Sequence, residues 1–422
     1  MRSSYSRFTK PDAGSDGCSS PGFGGCGGYP CTTTVFDGAG QVTQQIDALS
    51  FSTMVYDLAG QNTGRQNPAG RWITMTYDRA GRQTGIMNEI GYSTTTAYDM
   101  DSRVVSTIDG TSRVKTMVYD AASNKLNVLY ADATILTYAY DSLNRATTMM
   151  DSGGTTTYAF DARSQLIGKT DPGSLVQAYA YDANSNRIKL VNPDGGIFTM
   201  VFDSLNRMSV MTTPDSKVIT AQYDADSRKT TLISSTSAQT LRAYDPLNRV
   251  TTLIELNGAS APVVTTIDAF DPGGRKTSTT RNGVVTTYTN DAINRLLGQN
   301  ASGIVATFAY DALDNALVKW HQGNPPQTMT YNAASQQLTM TFAAAATGFT
   351  YDQAGNTTAE NAGGAVTGYV YDCENRMKKM TSPAFAVTTF TYSGDGLRRT
   401  YQKPGAAVRT MVWDGSEYLG EI

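Results

Sequence analysis

The sequence of 422 residues contains one histidine, four cysteines and three tryptophans, and only 17% of its residues are charged. An ordinary soluble domain has about a quarter charged. The single His321 excludes two-histidine metal sites within the chain and leaves one candidate base for any Ser–His–Asp triad. Four cysteines are too few for a disulfide scaffold of this length. A net charge of −3 and a pI near 5.3 give no electrostatic reason to bind nucleic acid or an anionic membrane. Long hydrophobic runs are missing too: the longest apolar stretch, Phe342 to Ala346, is far too short to span a bilayer, so no transmembrane segment is expected. Arg2, Arg7 and Lys10 have the charge of a signal-peptide n-region, but Pro11-Asp12-Ala13-Gly14-Ser15-Asp16 follows where an apolar stretch is required. Three origins stay open: a cytoplasmic chain, export by a route the N-terminus does not show, or one piece of a longer product. What is abundant is glycine (39 residues) and tyrosine (24), with 40% apolar residues, too many for a disordered chain. That profile suggests strands and turns.

An aromatic–Asp pair recurs along nearly the whole chain. It begins at Phe36-Asp37 and Tyr56-Asp57 and ends at Trp413-Asp414, making nineteen copies. Of the eighteen intervals, eleven are 21 residues, six are 20 and one, Tyr244 to Phe270, is 26. The first position is aromatic in eighteen copies, with Asn290 the exception; the second is Asp in seventeen, with Asn332 and Ser393 the exceptions.

Within one copy, Tyr138 and Tyr140 stand at i and i+2, on one face of a strand. The earlier position is aromatic in eight copies and Met in six, so 26 of the 40 aromatics form an ordered stripe. This placement fits sheet packing better than a sugar-binding platform. After the Asp comes turn chemistry: its side chain can accept a downstream backbone N–H. The third residue after it is Gly in six copies, Asn in five, Ser in six and Asp in one. That preference predicts a left-handed backbone and a hairpin built on a type I turn. Arg follows in nine copies, from Arg82 to Arg376, and is expected to pair with a neighbouring repeat's Asp. A second run and a second turn, such as Asp151-Ser152-Gly153-Gly154, complete two strands per repeat. The extra residues of the long interval, near Asn257-Gly258-Ala259-Ser260-Ala261-Pro262, are expected to lengthen one loop.

A lone hairpin is marginal in water, so each repeat must stack on its neighbours. A meander of some 38 strands twists by roughly 20–25° per strand and cannot stay flat. The expected fold is all-β: a spiralling antiparallel sheet forming a hollow, barrel- or cocoon-like shell that need not be complete. It should occupy residues 32–422, after a Gly- and Cys-rich segment, 1–31, expected to be flexible.

The Tyr-Asp-x-x-Gly/Asn-Arg motif at 20–21-residue spacing resembles the Rhs/YD-repeat family of bacterial Rhs polymorphic toxins, wall-associated proteins, the C component of insecticidal toxin complexes and teneurin ectodomains. The resemblance covers about residues 32–422. It implies a shell, commonly encapsulating a C-terminal toxin or effector segment. It also implies secretion or cell-surface display, and in some members binding of carbohydrate or a receptor. Family shells are often completed by a self-cleaving region with Asp-Pro-x-Gly-Leu-type motifs. Asp171-Pro172-Gly173 and Asp271-Pro272-Gly273 lack the rest of that motif and read as turns. Neither self-cleavage nor toxin activity is therefore carried over to this chain.

The remaining chemistry-bearing residues have structural readings. Seventeen motif Asp residues place carboxylates near one another by repetition, and turn capping is expected of them, not catalysis. Asp352 to Asn356 offers oxygens but lacks the acidic density of a calcium loop. Cys18, Cys26 and Cys31 match no familiar zinc spacing; free thiols, a disulfide after export and, last, a metal site stay open. Cys373 falls in a turn, and His321 is expected in a turn region between strands. No catalytic, metal or cofactor-binding residue is assigned. The function expected is a structural, non-enzymatic shell, with an adhesion module as the alternative.

Overall fold

A computed structural model describes residues 33–46 and 51–422. The segment 1–31, with Cys18, Cys26 and Cys31, lies outside the described residues. The described chain is a succession of 38 β-strands, from Thr33–Phe36 to Glu417–Glu421, without a helix. Strands that follow one another in sequence pair antiparallel, so the sheet is a meander.

One copy shows why. Strand Ile135–Tyr140 alternates, with Leu136, Tyr138 and Tyr140 on the more buried face and Ile135 and Ala139 exposed on the other. It pairs with Ala146–Asp151 through Thr137↔Met150, Tyr138↔Met149, Ala139↔Thr148 and Tyr140↔Ala146, with a bulge between Ala139 and Tyr140. Between them the Asn144 N–H donates to the Asp141 carbonyl (3.0 Å) and the Asp141 N–H to the Arg145 carbonyl (3.0 Å). Asn144 has φ 59°. This is a three-residue hairpin whose last loop residue is left-handed. The third residue after the motif Asp has positive φ in eighteen copies, from Gly40 (80°) to Gly396 (90°). The sequence preference at that site is thus a backbone requirement. In the nineteenth copy a shorter loop, with Gly415 at φ 57°, pairs Asp414 with Glu417.

The 26-residue interval departs from expectation. Its turn is ordinary, with Ser260 N–H to Asn257 carbonyl at 2.9 Å and Asn257 N–H to Ala261 carbonyl at 3.0 Å. The extra residues lengthen the strands instead, to Val250–Leu256 and Pro262–Phe270. They pair as Thr252↔Ile267, Leu253↔Thr266 and Ile254↔Thr265, which gives their backbone groups ladder partners.

The described residues fall into two compact units, 33–116 with 288–387, and 117–287 with 388–422. In each, the chain meets itself again far along the sequence. In the first, Gly110 lies so close to the Gln353 carbonyl that a Cβ would collide with it. Beside it Arg113 donates to the Asp372 carbonyl (2.7 Å) and Asn375 Oδ1 (2.5 Å), and Lys115 meets Glu374 at 3.3 Å. In the second, Gly394 sits directly on the buried Leu136 and Met149. Partners in these contacts lie 243 (Gly110 to Gln353) to 262 (Arg113 to Asn375) residues apart, about twelve repeats.

Candidate functional site

The motif's Asp, Arg and aromatic residue form one node, repeated along the sheet. Asp141 Oδ1 accepts the N–H groups of Leu143 (2.9 Å) and Arg145 (3.1 Å), while Oδ2 accepts the Arg145 guanidinium at 2.6–2.7 Å. The turn capping expected of the motif Asp is present, and the same two-amide pattern recurs at Asp78, Asp203, Asp245 and Asp372. The Arg145 hydrogen bond, ahead of the backbone amides, holds the Asp141 carboxyl below its ordinary 3.8, and Arg207 does the same for Asp203.

The arginine's partner differs from expectation. It pairs with the Asp of its own repeat, because the hairpin sets residues i and i+4 side by side. Toward the next repeat it offers its outer nitrogen. Arg145 reaches the Asp161 carbonyl (3.2 Å) and the Ser164 hydroxyl (3.1 Å), with its guanidinium 4.8 Å from the Phe160 ring centre. Arg82, Arg207, Arg228 and Arg295 repeat this arrangement over Tyr98, Tyr223, Tyr244 and Tyr310. Where the position is Asn, a shorter bridge forms, as from Asn124 Nδ2 to Asn144 Oδ1 (2.8 Å).

The ring closes the node from the other side. Strands of consecutive repeats pair near the second turn, as in Asn127↔Thr137 to Leu129↔Ile135, and that pairing stops short of the motif. There the Tyr140 hydroxyl donates to the Lys125 carbonyl at 3.0 Å. Tyr56, Tyr77, Tyr181, Tyr223 and Tyr331 do likewise at 2.7–3.0 Å, and Trp413 Nε1 donates to the Arg398 carbonyl at 2.7 Å. The stripe is thus half-buried packing with a polar tether.

The grammar breaks at the eighteenth copy. Ser393 replaces the Asp and Leu397 the Arg, and the Ser393 hydroxyl turns to the Leu397 carbonyl (3.1 Å) and the Asp395 carboxylate. Here the unit gathers its most buried charges. Asp151 takes both guanidinium nitrogens of Arg399 (2.6 and 2.9 Å) and the Gly394 N–H (2.8 Å). Lys169 pairs with Asp171 at 2.9 Å, Asp171 also accepts the Thr156 hydroxyl, and Arg187 pairs with Asp414 at 2.6 Å. Burial raises the Tyr158 hydroxyl well above its ordinary value, with Asp395 and Asp171 adding to it. A groove of about 270 Å³ lies alongside, lined by Lys169, Asp171, Leu175, Leu397, Arg399, Met411, Trp413 and their neighbours. None of this was read from the sequence, since Asp151 and Arg399 lie outside the motif. The one available signal was an apolar residue, Leu397, in a copy that also lacks the Asp, where the other copy without Asp, Asn332, keeps a polar Gln336.

Other sequence candidates are placed plainly. His321 is the exposed last residue of strand Ala316–His321, edge-on to Phe308 at 6.2 Å, and not within a turn. It is strand because its backbone continues the ladder through Ala306↔His321. Cys373 is half-buried in the turn after Tyr371. The Asp352 oxygens are taken by the Ala354 and Asn356 amides and the Asn356 side chain. Asp171-Pro172-Gly173 and Asp271-Pro272-Gly273 are both at turns. Among the described residues no group of three or more His, Cys, Asp or Glu side chains is placed to hold a metal ion. No helix among them is long and apolar enough to cross a membrane.

Comparison with known proteins agrees with the node. The RHS Repeat family profile matches residues 140–176 and 160–197. No curated protein matches the chain in sequence. Among solved structures, the TcdB2–TccC3 complex superposes over 91% of this chain and 26% of the matched one, at 14% identity and a TM-score of 0.71. The same complex without its hypervariable C-terminal region gives 91%, 25%, 13% and 0.72. The Tc holotoxin pore of Photorhabdus luminescens, carrying a substituted TccC3, gives 91%, 25%, 14% and 0.71. The chain thus spans about a quarter of the length of these matched chains and shares their fold over that span. Eighteen of the nineteen motif copies build the same left-handed hairpin turn, and the array carries Rhs repeats, matched by the family profile over residues 140–197.

Proposed function

We propose that this chain is wall material of an Rhs shell, a structural and non-catalytic element that encapsulates or displays a C-terminal toxin or effector segment in a bacterial secreted or cell-surface system. The observation that carries the reading is the shared fold with the TccC3 complexes, including one solved without a hypervariable C-terminal region. Two features of the chain support it. Each node ties a repeat to the next through backbone carbonyls and ring faces, the arrangement a continuous wall needs. The motif carboxylates are taken up by backbone amides and guanidinium groups, which favours a structural over a catalytic role.

The test is co-expression of the chain with the polypeptide encoded directly downstream, followed by protease treatment and electron microscopy. A curved or hollow wall and a protease-resistant downstream segment are expected. A compact particle, or a downstream segment digested as fast as when expressed alone, would refute the proposal.

A further inference from the structure

Two residues before the motif aromatic, fourteen of the nineteen copies carry an aromatic or Met and so continue the half-buried stripe. The other five carry Thr34, Thr96, Ala221, Arg242 and Asp268. The last three belong to successive copies, and Arg242 and Asp268 are the only charged residues at this position. Asp268 is provided for, since it accepts Lys276 Nζ (2.7 Å) and the Thr279 hydroxyl (2.6 Å). Arg242 is not. It lies on strand Gln239–Tyr244, on the face of Tyr244 and opposite Leu253. Among the described residues its guanidinium has no hydrogen bond or ion pair, and Nη1 is enclosed without an acceptor. The nearby carboxylates are committed elsewhere: Asp224 to Arg228 (2.7 Å), Asp245 to Arg249 (2.6 Å) and Asp268 to Lys276. Glu255, opposite Thr240, is exposed and forms no ion pair with Arg242. On the same hairpin Arg249 also leaves its Nη1 enclosed and unbonded, although its guanidinium lies 4.5 Å from the Phe270 ring centre.

We propose that Arg242 anchors the carboxylate of an Asp or Glu side chain on a partner polypeptide lying along this stretch of the stripe face. Arginine cannot shed its proton, and an enclosed donor without an acceptor is destabilising, so the group needs an acceptor that the chain itself does not supply. A carboxylate is the acceptor whose geometry matches the guanidinium fork. The residue as a whole is half-buried, which leaves the rest of the fork within reach of solvent. The flanking Leu253 and the buried Ala221 make the surroundings partly apolar, where a charge-assisted bond is stronger than in water. Six copies build the stripe with Met at this position, so the fold has no need of a cation there. The other cations around the site, Arg228, Arg249 and Lys276, are each matched by an Asp, which leaves Arg242 as the unmatched charge. The proposal holds whether or not the sheet encloses a toxin segment.

The test follows the arginine Nε–Hε signals of the isotope-labelled full chain by NMR at low ionic strength. Arg242→Lys identifies the Arg242 signal by its loss, and the exposed Arg71 serves as the control. The titrants are N-acetyl-Gly-Glu-Gly-amide, the same peptide with Gln in place of Glu, and sodium acetate. A saturable shift of the Arg242 signal is expected with the Glu peptide, about tenfold weaker with the Gln peptide and with acetate, while Arg71 stays unmoved. Arg242→Met installs the side chain of Met200 and Met329 and should keep or raise the thermal midpoint, because the cation has no partner within the chain to lose. No saturable shift, an equal response to the Gln peptide or to acetate, a parallel shift at Arg71, or a lowered midpoint in Arg242→Met would each overturn the proposal.

Discussion

Replacing Asp151 with Ala should loosen residues 388–422 selectively. The Asp151 carboxylate receives four donors: two Arg399 nitrogens at 2.6 and 2.9 Å and the Gly394 and Gly153 N–H groups at 2.8 Å each. The two side chains are only 10% and 13% exposed, so water screens the pair little. Removing the carboxylate leaves a buried guanidinium without its charge partner and the Gly394 amide without its acceptor. Breaking a buried pair in this way costs about 3–5 kcal/mol. Truncating both side chains removes the stranded charge as well, so Asp151→Ala with Arg399→Ala should cost less than the sum of the two single changes, by roughly 0.5–3 kcal/mol. Global melting is a poor readout, because long repeat arrays lose cooperativity. Hydrogen exchange resolves the effect locally. Amides of 388–422 should exchange roughly a hundredfold or more faster in Asp151→Ala, while those of 33–116 hold their rates. Exchange within about threefold of the parent across 388–422 would refute the view that this pair fastens the segment.

Other expectations can be measured on the same chain. Asn144→Val places a β-branched residue at φ 59° and should cost about 1–3 kcal/mol, read by denaturant unfolding, whereas Asn144→Gly should be close to neutral. Tyr140→Phe keeps the half-buried ring and loses only the bond to the Lys125 carbonyl, so about 0.5–1.5 kcal/mol is expected; no loss would mean the tether is idle. Acid should weaken the fold. Carboxyls such as Asp141 and Asp203 have pKa values depressed by their arginines, so their contribution is complete above the unfolded value of 3.8 and is lost as pH falls through the lower folded values. A thermal midpoint that is flat from pH 5 to pH 2 would contradict that assignment.

The sequence by itself determined the repeat and almost everything inside it. Five residues, from Asp141 to Arg145, carry a complete turn: the capping carboxylate, the left-handed Asn144 and the closing backbone bonds. The i, i+2 aromatic spacing fixes which face of the strand is covered. These features were legible because their interactions span at most about twenty residues and recur in nearly every copy. Sequence reasoning failed where two local solutions competed. The arginine had two Asp carboxylates within one repeat of it, and only the hairpin geometry selects its own. The long interval could extend either a loop or two strands, and the ladder won because it satisfies backbone groups that a loop would leave to water. Which repeats meet after some 250 residues was decided by tertiary structure alone. Twist is added strand by strand, so a few degrees per strand shift the meeting point by whole repeats, and no single copy encodes that sum. Asp151 and Arg399 gain their meaning only there, where a turn from one part of the sheet comes to rest against another.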